Sequence, residues 1–453
     1  MQENKMGVMP VKRLIVSMSL PMMVSMLVQA LYNIVDSIFV AKLSESALTA
    51  VTLAFPMQNL MISVAVGTGV GINALLSKSL GEKRTDRSDE AANTGILLAV
   101  MSAICFMIIG FLGAGAFIHS QTGNPEIIRY GEEYLGIVCC LSLGMFCEVI
   151  FERLLQSTGQ TFFSMISQLT GAIINIILDP IMIFGLFGCP RMEVAGAAYA
   201  TIIGQSVAAI VGITLNIKVN KEIHLNIKKV IRPKAEIVGK IYFVGVPSIL
   251  MMSIGSLMTY LMNLILISFS ETATAVFGVY FKLQSFFFMP VFGMNNGIIP
   301  VLAYNYGAGK KKRIDEALKF GLELAVAIMI VGTTVFELFP TVLLKMFNAS
   351  GDMMSMGKVA LRTIAIHFPI AAIGISLGTV FQAFSKSYYS LVISLCRQLI
   401  VLIPVAWILA RVTNNVNMVW WCFIIAELIS CALSIIFFKK AYKDVVEPLE
   451  ETN

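Results

Sequence analysis

Twelve times along this chain, some twenty or more residues pass with almost no charge. The runs lie near 14–40, 48–78, 92–118, 133–157, 162–187, 194–217, 240–268, 274–304, 317–343, 359–384, 388–411 and 417–438. A helix needs about 20 mostly apolar residues to cross the hydrocarbon core of a bilayer. Inside that core each backbone polar group must find its partner within the segment, so runs of this kind are read as helices. Only 13% of the 453 residues are charged and 57% are hydrophobic. An ordinary soluble domain carries about 25% charge. The predicted fold class is an all-α polytopic membrane protein with twelve transmembrane helices.

Loop charge orients the runs. Lys5, Lys12 and Arg13 precede the first run, and Lys83, Arg84 and Arg87 follow the second. Lys218, Lys221, Lys228, Lys229, Arg232 and Lys234 fill the middle linker. Lys310, Lys311, Lys312 and Arg313 follow the eighth run, and Lys439, Lys440 and Lys443 close the twelfth. With twelve spans all of these share one face. The opposite loops hold only Lys42, Arg129, Arg191, Lys345, Lys358 and Arg411. Basic loops stay cytoplasmic, so a multi-pass protein of the cytoplasmic membrane is expected, with both termini inside. The net charge of +6 is loop bias and implies no nucleic-acid partner; membrane lipid is the partner it does imply. The first run is too long for a cleaved signal peptide and is read as a retained helix. The eight cysteines show no ligand spacing and read as small buried hydrophobes.

One shift of 226 residues lays the second half of the chain on the first. Gly81, Arg87, Asp89, Glu90, Ala91 and Gly95 fall on Gly307, Arg313, Asp315, Glu316, Ala317 and Gly321. Pro21 falls on Pro247, Gln58 on Gln284, Gly67 and Gly71 on Gly293 and Gly297, and Gln156 on Gln382. Two six-helix lobes are expected, 1–225 and 226–453, related by a parallel internal repeat. Each starts on the same side of the membrane, and such a pair encloses a central cavity.

The repeat also serves as a control, because charge breaks its symmetry. Asp36 falls opposite Met262, Asp179 opposite Val405, Asn175 opposite Val401 and Glu152 opposite Gly378. A carboxylate in mid-membrane costs about 2.5–3.5 kcal/mol on insertion scales, so each needs a reason. Tyr32, Asn33 and Asp36 share one helix face. Asn175 stands one turn before Asp179, and Pro180 removes a backbone donor just after it. Asp36 and Asp179 are either a structural polar staple or an ion site. Glu152 is either paired with adjacent Arg153 or functional. Glu148 and Glu337 read as interface or packing residues. Lys282 and Arg397 are bases of the second half without an assigned place, and His367 reads as a satisfied polar residue.

Candidate cavity residues are Glu152, Asn33, the repeat mates Gln58 and Gln284, Met262 and Phe287. Twelve of the 27 methionines fall in the first, second, seventh and eighth runs. Such soft surfaces suit varied apolar ligands, or plain membrane packing. Enzymatic signals are missing. There is no G-x-x-x-x-G-K-[ST] and no H-E-x-x-H, and GISLG (374–378) lies in an apolar helix and not at a strand-to-helix elbow. No enzyme and no cofactor are expected.

The segment YNIVD (32–36), the N-x-x-x-D-P at 175–180 and VAGAAYAT (194–201), set in two six-helix halves, resemble the MATE (multidrug and toxic compound extrusion) transporters of bacteria. The resemblance covers nearly the whole chain. It implies a V-shaped pair of lobes and a monomeric antiporter exchanging small cationic amphipathic drugs for H⁺ or Na⁺. It also implies a cation site in the first lobe made of Asp36, Asn175, Asp179 and Thr201, with Tyr32 beside it. Asp36, Asn175 and Asp179 would be the metal ligands if the ion is Na⁺. Glu152 matches an acidic fourth-helix position of one multidrug branch. Other members use a seventh-helix glutamate, and residues 240–268 contain none. In the expected cycle, H⁺ or Na⁺ neutralises the Asp36–Asp179 pair and releases the drug outward. A flippase of lipid-linked saccharides from the same superfamily is the alternative, kept open by Lys282 and Arg397.

Overall fold

The computed structural model describes residues 4–347, 349 and 351–449. Helices account for nearly all of them, and no strand occurs among the described residues. Among the described residues ten helices are long and apolar enough to cross a bilayer, and two further pairs reach that length together across a bend. In chain order the spans are α1 (Val11–Ala41), α2 (Glu45–Gly81), α3 (Thr85–His119), α4 (Pro125–Cys140 with Leu143–Ser157), α5 (Thr161–Phe184) and α6 (Glu193–Lys218). The second set is α7 (Ala235–Ile267), α8 (Glu271–Gly307), α9 (Lys311–Leu338), α10 (Gly351–Ala365 with Phe368–Ala383), α11 (Ser387–Thr413) and α12 (Trp421–Val445). The chain is an all-α polytopic membrane protein of the twelve-helix, two-lobe class.

Several helices outrun their apolar runs: α3 starts at Thr85, α9 at Lys311 and α10 at Gly351, and α12 ends at Val445. Two shifts have a local cause. α4 starts at Pro125, earlier than the apolar run, because Asn124 caps it by accepting from the Glu126 amide at 3.0 Å. α9 stops at Leu338, short of residue 343, because Pro340 lacks the amide that a continuing helix requires.

The 226-residue repeat is visible in local geometry. Ser44 and Ser270 are N-caps in extended backbone, accepting from the amides of Ala47 and Ala273 at 3.0 and 3.1 Å. α4 and α10 are both bent by 48° at their breaks. Lys83 (φ 59°) and Gly309 (φ 71°) share a left-handed turn, as do Gly159 (φ 88°) and Ser385 (φ 59°).

Two compact units form, and they do not part at the linker near residue 225. The first holds Asn4 and Val24–Ile249; the second holds Lys5–Met23 and the chain from Leu250 onward. Glycines explain the exchange. In the first unit a Cβ on Gly71 would stand 2.1 Å from the Ile241 carbonyl oxygen, so α2 lies backbone to backbone against the start of α7. In the second, a Cβ on Gly297 would stand 2.7 Å from the Met18 carbonyl oxygen, and α8 lies against the start of α1 in the same way. Pro21 and Pro247 each stand two residues before the switch of unit. A proline inside a helix removes one backbone bond. Both helices nevertheless run through it unbroken, so one continuous helix serves two units.

Candidate functional site

The acidic residues of the first half converge within the first unit. Asp179 is wholly buried on α5 and Asn175 is 3% exposed one turn before it. Thr201 on α6 is equally buried. Gly204 makes this possible: a Cβ there would stand 2.7 Å from the Gly171 carbonyl oxygen, so α6 and α5 touch at the backbone. Asn175 bridges the two helices. With its amide nitrogen toward the carboxylate it donates to Asp179 Oδ2 at 3.2 Å. Its oxygen then accepts from the Thr201 amide at 3.1 Å and hydroxyl at 3.3 Å. The opposite orientation would set two acceptors face to face.

α1 supplies the second carboxyl. Asp36 stands on the stretch of α1 that packs against α5, between the Gln29–Gln168 hydrogen bond and the Phe39–Phe184 ring contact, within electrostatic reach of Asp179. One Asp36 oxygen, Oδ1, is buried and has no hydrogen-bond partner. Such an atom carries an uncompensated desolvation penalty and is ready to accept a donor or a cation.

The contact continues as a polar ladder along α1 and α5. Gln168 Nε2 donates to Gln29 Oε1 at 3.0 Å, two turns from the carboxyl pair. Tyr32 stands in the electrostatic field of Asp36, Asp179 and Glu148. Glu148 lies against α5, where a Cβ on Gly171 would be 3.5 Å from its Oε1. Of the two readings of Glu148, interface or packing, this contact with α5 fits packing. Tyr134 donates to Gln58 Oε1 at 3.4 Å and feels both Asp36 and Asp179.

Other candidates lie elsewhere. Asn33 is exposed and outside this contact set, because residues 32 and 33 point about 100° apart on a helix. Glu152 is buried with Oε1 unpartnered, while adjacent Arg153 donates to Gln156 Oε1 at 2.9 Å. In the second unit Met262 is wholly buried, Gln284 accepts from Tyr280 at 2.7 Å, and Phe287 packs edge-to-face on Phe336 with centroids 5.8 Å apart. Lys282 is exposed. Arg397, on a π-helical turn of α11 (Cys396–Leu402), sets its Nη1 3.6 Å from Oε1 of Glu427 on α12.

Sequence reasoning passed over Gln29, Gln168, Tyr134 and Glu427. The repeat held a signal for two of them. Tyr134 falls opposite Ala360, and Glu427 opposite Thr201. Among the described residues no group of three or more His, Cys, Asp or Glu could hold a metal ion.

Comparison with known proteins places this geometry. The family model MatE matches residues 21–181 and again residues 247–408. The two matches begin at Pro21 and Pro247, the same 226-residue shift. A multidrug export protein MepA from Staphylococcus haemolyticus is 25% identical over 420 residues, covering 92% of this chain and 91% of that protein. An FAD transporter from Shewanella oneidensis is 27% identical over 408 residues, covering 88% of each. Among solved structures, an outward-facing multidrug resistance MATE family transporter superposes with a TM-score of 0.92 at 23% identity, covering 99% of both chains.

Proposed function

The chain belongs to the MatE family, and from that premise we propose that it is a secondary active antiporter that exports small cationic amphipathic compounds, coupled to H⁺ or Na⁺ through the first-unit carboxyls. As a member of that family it is a membrane transporter and not an enzyme. The reading rests on one observation above the rest: Asp36 of α1, with an unpartnered buried Oδ1, stands within electrostatic reach of the buried Asp179 of α5. Two carboxylates in a low-dielectric site do not both hold their charge easily, and the pair takes up ions as a unit. Charged, it attracts a cation. Neutralised, it lets the cation go. The driving gradient is worth about 2.3 kcal/mol per charge at 100 mV.

The hydrogen-bond pattern supports the proton as the ion of this arrangement. With the Asn175 nitrogen set on Asp179 and its oxygen on Thr201, that oxygen does not face the carboxyl. Sodium would require that amide to turn over.

An anionic cargo is the second reading, favoured by the name of the Shewanella oneidensis relative, FAD transporter. It shares its need for basic residues with the lipid-linked saccharide flippase. Arg397 weighs against both, since Glu427 already neutralises it.

The test is efflux of a fluorescent cationic dye from orientation-controlled proteoliposomes. A pH gradient and a Na⁺ gradient are imposed separately, with Asp36→Asn alongside. Dye movement driven by the pH gradient and lost in Asp36→Asn is expected. Movement under neither gradient, or movement indifferent to the substitution, would overturn the scheme. Competition by FAD in the same assay would favour the second reading.

A further inference from the structure

The linker between α6 and α7 does not run loose. α3 holds it down. Asp89, 7% exposed, accepts from the His224 amide through Oδ1 at 2.7 Å. Asn93, wholly buried, accepts from the Asn226 amide at 2.8 Å and donates to the His224 carbonyl at 3.0 Å. Asn226 then caps a five-residue helix, Ile227–Ile231, accepting from the Lys228 amide at 2.9 Å. A helix this short does not persist in water by itself. Here three buried or capping side chains fix its place and orientation. All of these residues lie in the first unit.

What that helix presents is unusual for a loop. Ile227 and Ile231 are 78% and 69% exposed, one turn apart on the same face. Lys228 and Arg232 form a second exposed row beside them. The nearby acids are already engaged. Lys229 and His224 lie 3.6 Å from Asp89, Lys234 pairs with Glu90, and Lys240 pairs with Glu236. Lys228 and Arg232 have no ion pair among the described residues. The helix is tied to the first turns of a membrane span and joins two others, so it lies at the level of the bilayer surface.

We propose that Ile227–Ile231 is an interfacial foot for anionic phospholipid, with Ile227 and Ile231 seated at the acyl boundary and Lys228 and Arg232 on lipid phosphates. Apolar side chains one turn apart beside a basic row are the chemistry of helices that lie in the headgroup layer. Basic residues next to a span attract anionic headgroups, and repel nothing zwitterionic. The occupant is the lipid of the surrounding leaflet; a soluble phosphate would leave the isoleucines uncovered.

Full-length protein carrying Ile231→Trp, reconstituted into liposomes with brominated phosphatidylglycerol or brominated phosphatidylcholine, tests this. Quenching of the parent protein's three tryptophans is subtracted. The new tryptophan is expected to be quenched, and more by the anionic lipid at equal mole fraction, with a preference of up to about five-fold per base. Adding Lys228→Gln and Arg232→Gln should remove the preference and leave the apolar quenching. Raising salt to 1 M should do the same, whereas millimolar glycerol phosphate should not compete. No quenching by either lipid would place the helix in water and overturn the proposal. Equal quenching by both would overturn the recognition of anionic headgroups.

Discussion

Arg397 sets its guanidinium 3.6 Å from the carboxylate of Glu427, and Glu427 occupies the repeat position of Thr201 in the first unit. The two units thus handle charge differently at matching places. The first gathers acids without a base against them at Asp36 and Asp179. The second neutralises its acid internally. Removing one partner of a fully buried pair costs about 3–5 kcal/mol. The Arg397 side chain is 24% exposed, so solvent screens part of that. Glu427→Gln and Arg397→Met are each expected to lower stability in mixed micelles by about 1–3 kcal/mol. The double substitution Arg397→Met, Glu427→Leu should cost less than their sum, and dye efflux should survive it. Loss of efflux in the double variant would move ion coupling into the second unit.

The carboxyl pair is expected to behave as one device. Asp36→Asn and Asp179→Asn should each abolish gradient-driven efflux, and the double variant should be no worse than the worse single. Gln29→Leu with Gln168→Leu, which removes the outer rung of the ladder, should reduce the rate without abolishing it. Independent, additive losses at Asp36 and Asp179 would contradict a shared ion.

Backbone contact at the exchanged helix starts sets a second expectation. Gly71→Ala and Gly297→Ala must push a carbonyl oxygen aside, and overpacking of this kind costs about 1–3 kcal/mol. Gly113→Ala in α3 meets nothing within 4 Å and should be neutral or stabilising by up to about 1 kcal/mol. Thermal unfolding in detergent separates the two classes.

The repeat itself suggests stabilising changes. Lys83 and Ser385 adopt left-handed backbone where their mates, Gly309 and Gly159, are glycine. A side chain there is disfavoured by about 1–2 kcal/mol. Lys83→Gly and Ser385→Gly should each raise the unfolding midpoint, while Gly309→Ala and Gly159→Ala should lower it. A fall in either glycine variant would mean that the side chain holds contacts worth more than the strain.

Much of the fold was legible because lipid is a strict solvent. Each run long enough to span had to be a helix, and several helices extend beyond their apolar runs by six to eight residues, as at the starts of α3, α4, α9 and α10 and the end of α12. Asp36, Asn175 and Asp179 were legible for another reason. Buried polarity is rare in such a chain, and the repeat showed Met262, Val401 and Val405 where polarity was absent; Thr201 came from the family resemblance alone. For Glu148 the sequence left interface and packing open, because its approach to Gly171 on α5 is not announced by any local pattern.

The sequence by itself determined the number of spans, the 226-residue repeat and the half of the chain that carries unpaired acid, since each depends on composition and spacing along one line. Only the tertiary structure decided that Asp36 comes near Asp179, that Arg397 meets Glu427, and that the starts of α1 and α7 belong to the opposite units. The last of these rests on backbones approaching to contact at Gly71 and Gly297. Such an approach is a property of two helices together, and neither helix's sequence contains it alone.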